Sequence, residues 1–121
     1  MEKKRILIID DEPSFTRMVK LNLEETGTYE VRHENSAEQG LAAAKEFKPD
    51  LILLDVIMPD MDGAQVASQI KADEKTENTP IVFLTATVRK EEEGIIGGHP
   101  FIAKPVSTEE VIECIEKSLK K

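Results

Sequence analysis

The chain has 121 residues, enough for one domain, and its 40% hydrophobic and 33% charged residues exclude the disordered and membrane-spanning classes. Its formal charge of -8 repels nucleic-acid phosphate and anionic lipid, and Lys3 to Arg5 is too short a basic run to offset it, so direct nucleic-acid or membrane binding is not expected. No apolar run approaches the roughly 18 residues of a membrane span, and acids cut short the apolar segment of MEKKRILIIDD, unlike a secretory signal, so the expected compartment is the cytoplasm.

The short apolar runs RILII, YEV, LILL, PIVFL and PFIA alternate with segments of helical character, with little room for hairpins. That alternation predicts an α/β domain spanning 1–121, with a parallel sheet covered on both faces. After the first run a helix starts at Pro13 or Ser14 and uses Phe15, Met18, Val19 and Leu23 for its apolar face. After the second run, Ser36-Ala37-Glu38-Gln39 reads as a capping box that opens another helix. Asp62-Gly63 begins a helix with the stripe Val66, Ala67 and Ile70. The stretch KEEEGII holds only a short helical pattern, which Gly94, Gly97 and Gly98 keep marginal. A second capping box, Ser107-Thr108-Glu109-Glu110, opens a final amphipathic helix through Val111, Ile112, Ile115 and Leu119. The single cysteine, Cys114, falls in this helix, cannot form an internal disulfide and is expected to be a buried or half-buried thiol.

In open parallel sheets, ligands bind beyond the carboxyl ends of the strands. The residues there are Asp10, Asp11 and Glu12 after the first run, Asp55 after LILL, Thr85 after IVFL and Lys104 after FIA. Taken singly each has an ordinary explanation, as a helix cap, a turn former, a strand threonine or a solvated lysine. Taken together, carboxylates at one sheet edge repel by roughly 4 kcal/mol per close pair at an effective dielectric of about 20, so a cation is required. Oxygen donors without imidazole or thiolate suit Mg²⁺, with Mn²⁺ as its substitute. Three carboxylates, a divalent ion and the Lys104 ammonium then nearly cancel, and such a site can admit a phosphoryl group.

With IDDE at 9–12, LLDVIMPDMDG at 53–63, TA at 85–86 and FIAKP at 101–105, the chain resembles a response-regulator receiver domain of two-component signalling over nearly its whole length. The resemblance implies a doubly wound, flavodoxin-like three-layer sandwich, with five parallel strands in the order 2-1-3-4-5 and five helices. It also implies Asp55 as the phosphorylated residue. Mg²⁺ would be held directly by Asp11 and Asp55, largely through water by Asp10, and by the backbone carbonyl of Ile57. Lys104 would pair with the phosphoryl group and Thr85 would donate a hydroxyl to it. Thr85 and Phe101 would form the switch, Lys104-Pro105 a cis peptide, and Ile57 and Thr87 would flank the hydrolytic water. The apolar Ile57 side chain cannot position that water, so unassisted dephosphorylation is expected to be slow. The segment from Thr85 to Gly97 is about one turn shorter than is usual, so a short fourth helix and an altered output face are expected. His99 near it and His33 receive no role.

The implied function is acceptance of a phosphoryl group from a histidine kinase or histidine phosphotransfer protein, followed by phosphorylation-dependent contact with a downstream protein. The chain would catalyse its own phosphorylation and slow dephosphorylation, as a monomer or a weak phosphorylation-dependent dimer. It is expected to be either a stand-alone receiver or one cut from a larger protein. Two other classes compete. One is a receiver-like interaction module that no longer cycles phosphate, against which Asp55, Thr85 and Lys104 count. The other is a small phosphatase of the haloacid-dehalogenase kind, which wants DxD after the first strand where this chain has DDE. A flavin module is weaker still, because no glycine- or hydroxyl-rich loop follows the first strand.

Overall fold

The computed structural model describes residues 3–56, 58–85, 95–96, 99–103 and 107–119, with backbone only at 85, 95–96 and 99–103. In chain order the elements are β1 (Lys4–Ile9), α1 (Pro13–Glu25), β2 (Tyr29–Glu34), α2 (Ala37–Phe47), β3 (Leu51–Asp55), α3 (Gly63–Ala72), β4 (Ile81–Thr85), β5 (Ile95–Ile96), β6 (His99–Ala103) and α4 (Thr108–Leu119).

The strands that carry the acids are parallel. β1 lies between β2 and β3, with Ile6 opposite both Val31 and Leu51, and β4 follows β3 with Asp55 opposite Leu84. Strand alternation sends successive residues to opposite faces. Leu7, Ile9, Ile52, Leu54 and Phe83 form one core with Ala43, Ala44, Val66 and Ile70 of α2 and α3. Ile6, Ile8, Leu51, Leu53, Val82 and Leu84 form the other with Val19 and Leu23 of α1 and with Val111 and Ile115 of α4. Burial on both faces explains why these strands read as continuous apolar runs, and each fully buried Leu or Ile contributes about 1.5–3 kcal/mol.

The expected five-stranded, all-parallel sheet with five helices is not what forms. The sheet has six strands in the order β2-β1-β3-β4-β6-β5. The four-stranded parallel run β2-β1-β3-β4 is extended by β6, parallel to β4, and the edge strand β5 is antiparallel to β6, with Ile95 opposite Pro100 and Ile96 opposite His99. Four helices occur among the described residues. The helical pattern assigned to KEEEGII fails at its end because Ile95 and Ile96 are β-branched, sit between glycines in the sequence and find a strand to pair with. The remainder of the expected fourth helix, residues 86–94, lies outside the described residues.

Helix starts follow the sequence closely. Ser107 and Glu110 form the reciprocal capping box, each backbone N–H donating to the other's side chain at 3.1 Å. Ser36 accepts from the Gln39 N–H at 3.2 Å, and α1 starts on Pro13. Cys114 is half-buried in α4 against the α1 and α4 side of the sheet. Among the described residues no helix is long and apolar enough to cross a membrane.

Candidate functional site

β1 and β3 are neighbours, so the residues that end them meet at the same edge. Asp10 follows β1 and is fully buried, Asp55 is the last residue of β3 and is 6% exposed, and Asp11 is half-buried beside them. One carboxylate oxygen from each lies within 4.8 Å of the others. Charges at that spacing repel by about 3–4 kcal/mol per pair at an effective dielectric of about 20. The donor set is all oxygen and converges on one point, which fits a hard divalent cation. The third acid of the run, Glu12, is exposed and stands outside this group.

Asp10 is fixed by its surroundings. Its Oδ1 accepts the Glu12 N–H at 3.0 Å and its own N–H donates to the Glu34 carbonyl at 3.1 Å. Asn35, just after β2, donates from Nδ2 to the Asp10 carbonyl at 2.8 Å and to the Thr16 hydroxyl at 3.1 Å. That hydroxyl is buried, lies 3.1 Å from the Pro13 carbonyl and is equally far from His33 Nδ1. Its single hydrogen serves the Pro13 carbonyl when His33 carries its proton on Nδ1, and this tautomer satisfies every contact. Thr16, His33 and Asn35 therefore hold the turn that bears Asp10 and Asp11, a part the sequence reading missed. The second apolar run, YEV, ends at Val31, so Asn35, which follows the full strand β2, is not marked as a strand end in the sequence.

Asp55 is held from behind. The Val56 N–H donates to the Leu84 carbonyl at 3.1 Å, and the Gly63 N–H closes the following loop onto the Val56 carbonyl at 2.6 Å. Gly63 is buried, and a Cβ there would meet the Asp55 carbonyl oxygen and, at 2.8 Å, the Val56 Cα. The Asp-Gly pair of LLDVIMPDMDG thus provides a helix cap and a close backbone approach, with Asp62 accepting the Gln65 N–H at 2.9 Å.

Thr85 ends β4 with its backbone opposite Ala103, where β6 stops one residue short of Lys104. The backbone of Phe101 pairs with Phe83. The side chains of Thr85 and Phe101 lie outside the described residues, as do Ile57, Thr87, Lys104 and Pro105, so the phosphoryl-pairing, switch, cis-peptide and water-flanking roles concern parts not described. Of the implied metal ligands, Asp10, Asp11 and Asp55 are brought together.

A parallel α/β run whose central strands end in three converging carboxylates is an arrangement that could hold a divalent cation. The chain belongs to the response regulator receiver domain family, whose model matches residues 6–116. It is 35% identical to the DNA-binding dual master transcriptional regulator RpaA of Synechocystis over 97% of this chain and 49% of that protein. It is also 35% identical to Protein PilH of Pseudomonas aeruginosa, over 95% of this chain and 97% of that one. Among solved structures it is similar to the Vibrio cholerae chemotaxis protein CheY4, with TM-score 0.86 and 28% identity over 98% of this chain and 100% of that one. The chain spans about half the length, 45% to 54%, of the first curated relatives it matches. Family, fold and acidic cluster together support a phosphoryl-accepting role in signalling.

Proposed function

We propose that Asp55 is the phosphoacceptor and that the donor is a phosphohistidine of a cognate histidine kinase or histidine phosphotransfer protein. The convergence of Asp55 with Asp10 and Asp11 supports this reading most directly. An Asp55 carboxylate oxygen forms a bond to phosphorus as the phosphorus–nitrogen bond to the donor imidazole breaks, in line, and the imidazole leaves with the electron pair. Asp10, Asp11 and Asp55, with the Ile57 carbonyl, would hold Mg²⁺, or Mn²⁺ in its place, which offsets charge on the equatorial phosphoryl oxygens when bound. The burial of Asp10 and Asp55 strengthens every charge interaction there by keeping water out. Lys104 and Thr85 complete the phosphoryl contacts, and Thr85 with Phe101 relays the change to a protein-binding surface. Ile57 and Thr87 flank the hydrolytic path, and the apolar Ile57 leaves the aspartyl phosphate long-lived.

Intact mass after incubation with Mg²⁺ and acetyl phosphate tests the assignment. A labile phosphoryl adduct should form and be absent both in Asp55→Asn and under a chelator. An adduct that persists in Asp55→Asn refutes the acceptor, and no adduct on folded, metal-bound protein would favour a non-cycling interaction module. Lys104→Ala should still accept phosphate while losing phosphorylation-dependent partner binding.

A further inference from the structure

The loop from Asp55 to Gly63 carries two acids, Asp60 and Asp62, that acceptor chemistry does not use. Both act on helix N-termini, whose first amides lack partners within the helix. Asp62 caps its own helix, α3, in the usual way. Asp60 reaches a different helix. Its Oδ2 accepts the Ala37 N–H at 2.9 Å and the Glu38 N–H at 3.4 Å, and its Oδ1 lies 3.3 Å from the same Ala37 nitrogen. Ser36 already accepts from Gln39, so Asp60 serves the first amides of α2, which Ser36 does not bind. The positive end of the helix also favours a carboxylate there.

The loop after Asp55 is therefore tied at two places. At its neck, Gly63 donates to Val56, and towards its tip Asp60 joins α2. α2 rests on β1, with Gly40 directly against the fully buried Ile9 side chain, and β1 leads straight into Asp10. One carboxylate thus connects the loop that follows the acceptor with the helix that lies against the strand bearing the other acids.

We propose that Asp60 is a positioning residue for cation binding: by capping α2 from another segment, it fixes the loop after Asp55 relative to β1, which carries Asp10 and Asp11 at its end. This rests on the reading of the Asp10, Asp11 and Asp55 cluster as a divalent-cation site. Without the tie, the loop is free to sample more conformations, the donors are less preorganised, and the cation binds more weakly. Asp60 touches neither the cation nor the phosphoryl group.

The test is titration of Mn²⁺ into the full chain, with free ion read by electron paramagnetic resonance and thermal unfolding recorded for each protein. Asp60→Ala should weaken Mn²⁺ binding by about tenfold, the lower end for residues that orient metal ligands. Asp60→Asn keeps one carbonyl acceptor and should recover part of that loss. Ser36→Ala removes the other cap of the same helix and leaves the tie, so its affinity should match the parent's. Equal affinity in Asp60→Ala and the parent overturns the proposal, and so does an equal loss in Ser36→Ala, which would make general fraying of α2 the cause. Asp11→Asn separates the two readings. If the parent binds Mn²⁺ and Asp11→Asn does not, an unaffected Asp60→Ala refutes the positioning role alone. If the parent binds none, or Asp11→Asn binds equally well, the cation-site reading fails and this inference fails with it.

Discussion

Gly63→Ala is the sharpest probe of how Asp55, the proposed acceptor, is held. Gly63 does not need glycine for a left-handed backbone, because among the described residues only Lys48 and Gly27 have positive φ. What it needs is space. A Cβ would lie 2.8 Å from the Val56 Cα and 3.2 Å from the Asp55 carbonyl carbon, and closer still to the Asp55 oxygen. Ordinary carbon contacts begin near 3.5 Å, so α3 and the end of β3 must separate by about 0.7 Å or more. All three obstacles are backbone atoms, so no rotamer change relieves them. Overpacking of this kind costs about 1–3 kcal/mol, and stretching the Gly63–Val56 hydrogen bond adds about 0.5–1.5 kcal/mol. The helix preference for alanine returns up to about 1 kcal/mol. A net loss of about 0.5–3.5 kcal/mol should lower the melting temperature by roughly 2–17 °C for a domain of this size. Since Asp55 itself must move, acetyl phosphate labelling should also slow at temperatures where the variant is folded. A variant that melts with the parent and labels at the parent's rate would refute this account of the loop.

Gly40→Ala makes a second steric test with a different obstacle, because its Cβ would fall 2.7–2.8 Å from three side-chain atoms of Ile9. Urea unfolding should show a loss of about 1–2 kcal/mol despite the better helix former, and pairing it with Ile9→Val should recover part of the loss, whereas additive effects would exclude direct contact. Glu24 gives a pH prediction: burial raises its carboxyl, but the Lys20 hydrogen bond, the Val31 N–H and the charges of Lys20 and Lys3 outweigh this and hold it below the ordinary value. A carboxyl depressed in the folded state contributes stability that is present above the unfolded value of about 4.3 and is lost as pH falls through the folded value. Denaturation between pH 7 and pH 3 should therefore show a shallower acid loss in Glu24→Gln than in the parent, and parallel curves would rule the residue out.

The strand-end acids were legible because two independent rules meet in them. Continuous apolar runs mark buried parallel strands, and charge immediately after such a run is expensive unless a ligand or partner awaits it. Ser107 and Glu110 were legible because a capping box is local, with both partners three residues apart. Asp60 had no such signature, since its partner amide lies 23 residues away in another helix. Thr16 and His33 were hidden for the same reason, being 17 residues apart and joined only by the packing of α1 beside β2. The edge at Ile95–Ile96 was misread because glutamates before it favour a helix, and the strand that wins exists only through pairing with His99 and Pro100.

That edge has a consequence for self-association. An open sheet margin is a template on which a second chain can lay a strand, and long margins invite it. Among the described residues this margin consists of the two-residue β5 and, past its pairing with His99 and Pro100, residues 101–103 of β6. The opposite margin, β2, is six residues long but carries Glu30, Arg32 and Glu34, with Arg32 bridged to Glu34 at 3.0 Å and to Glu46 at 3.2 Å. A strand arriving at β2 must lie alongside a row of charges. The β2 margin thus resists runaway polymerisation by its charges, not by its length.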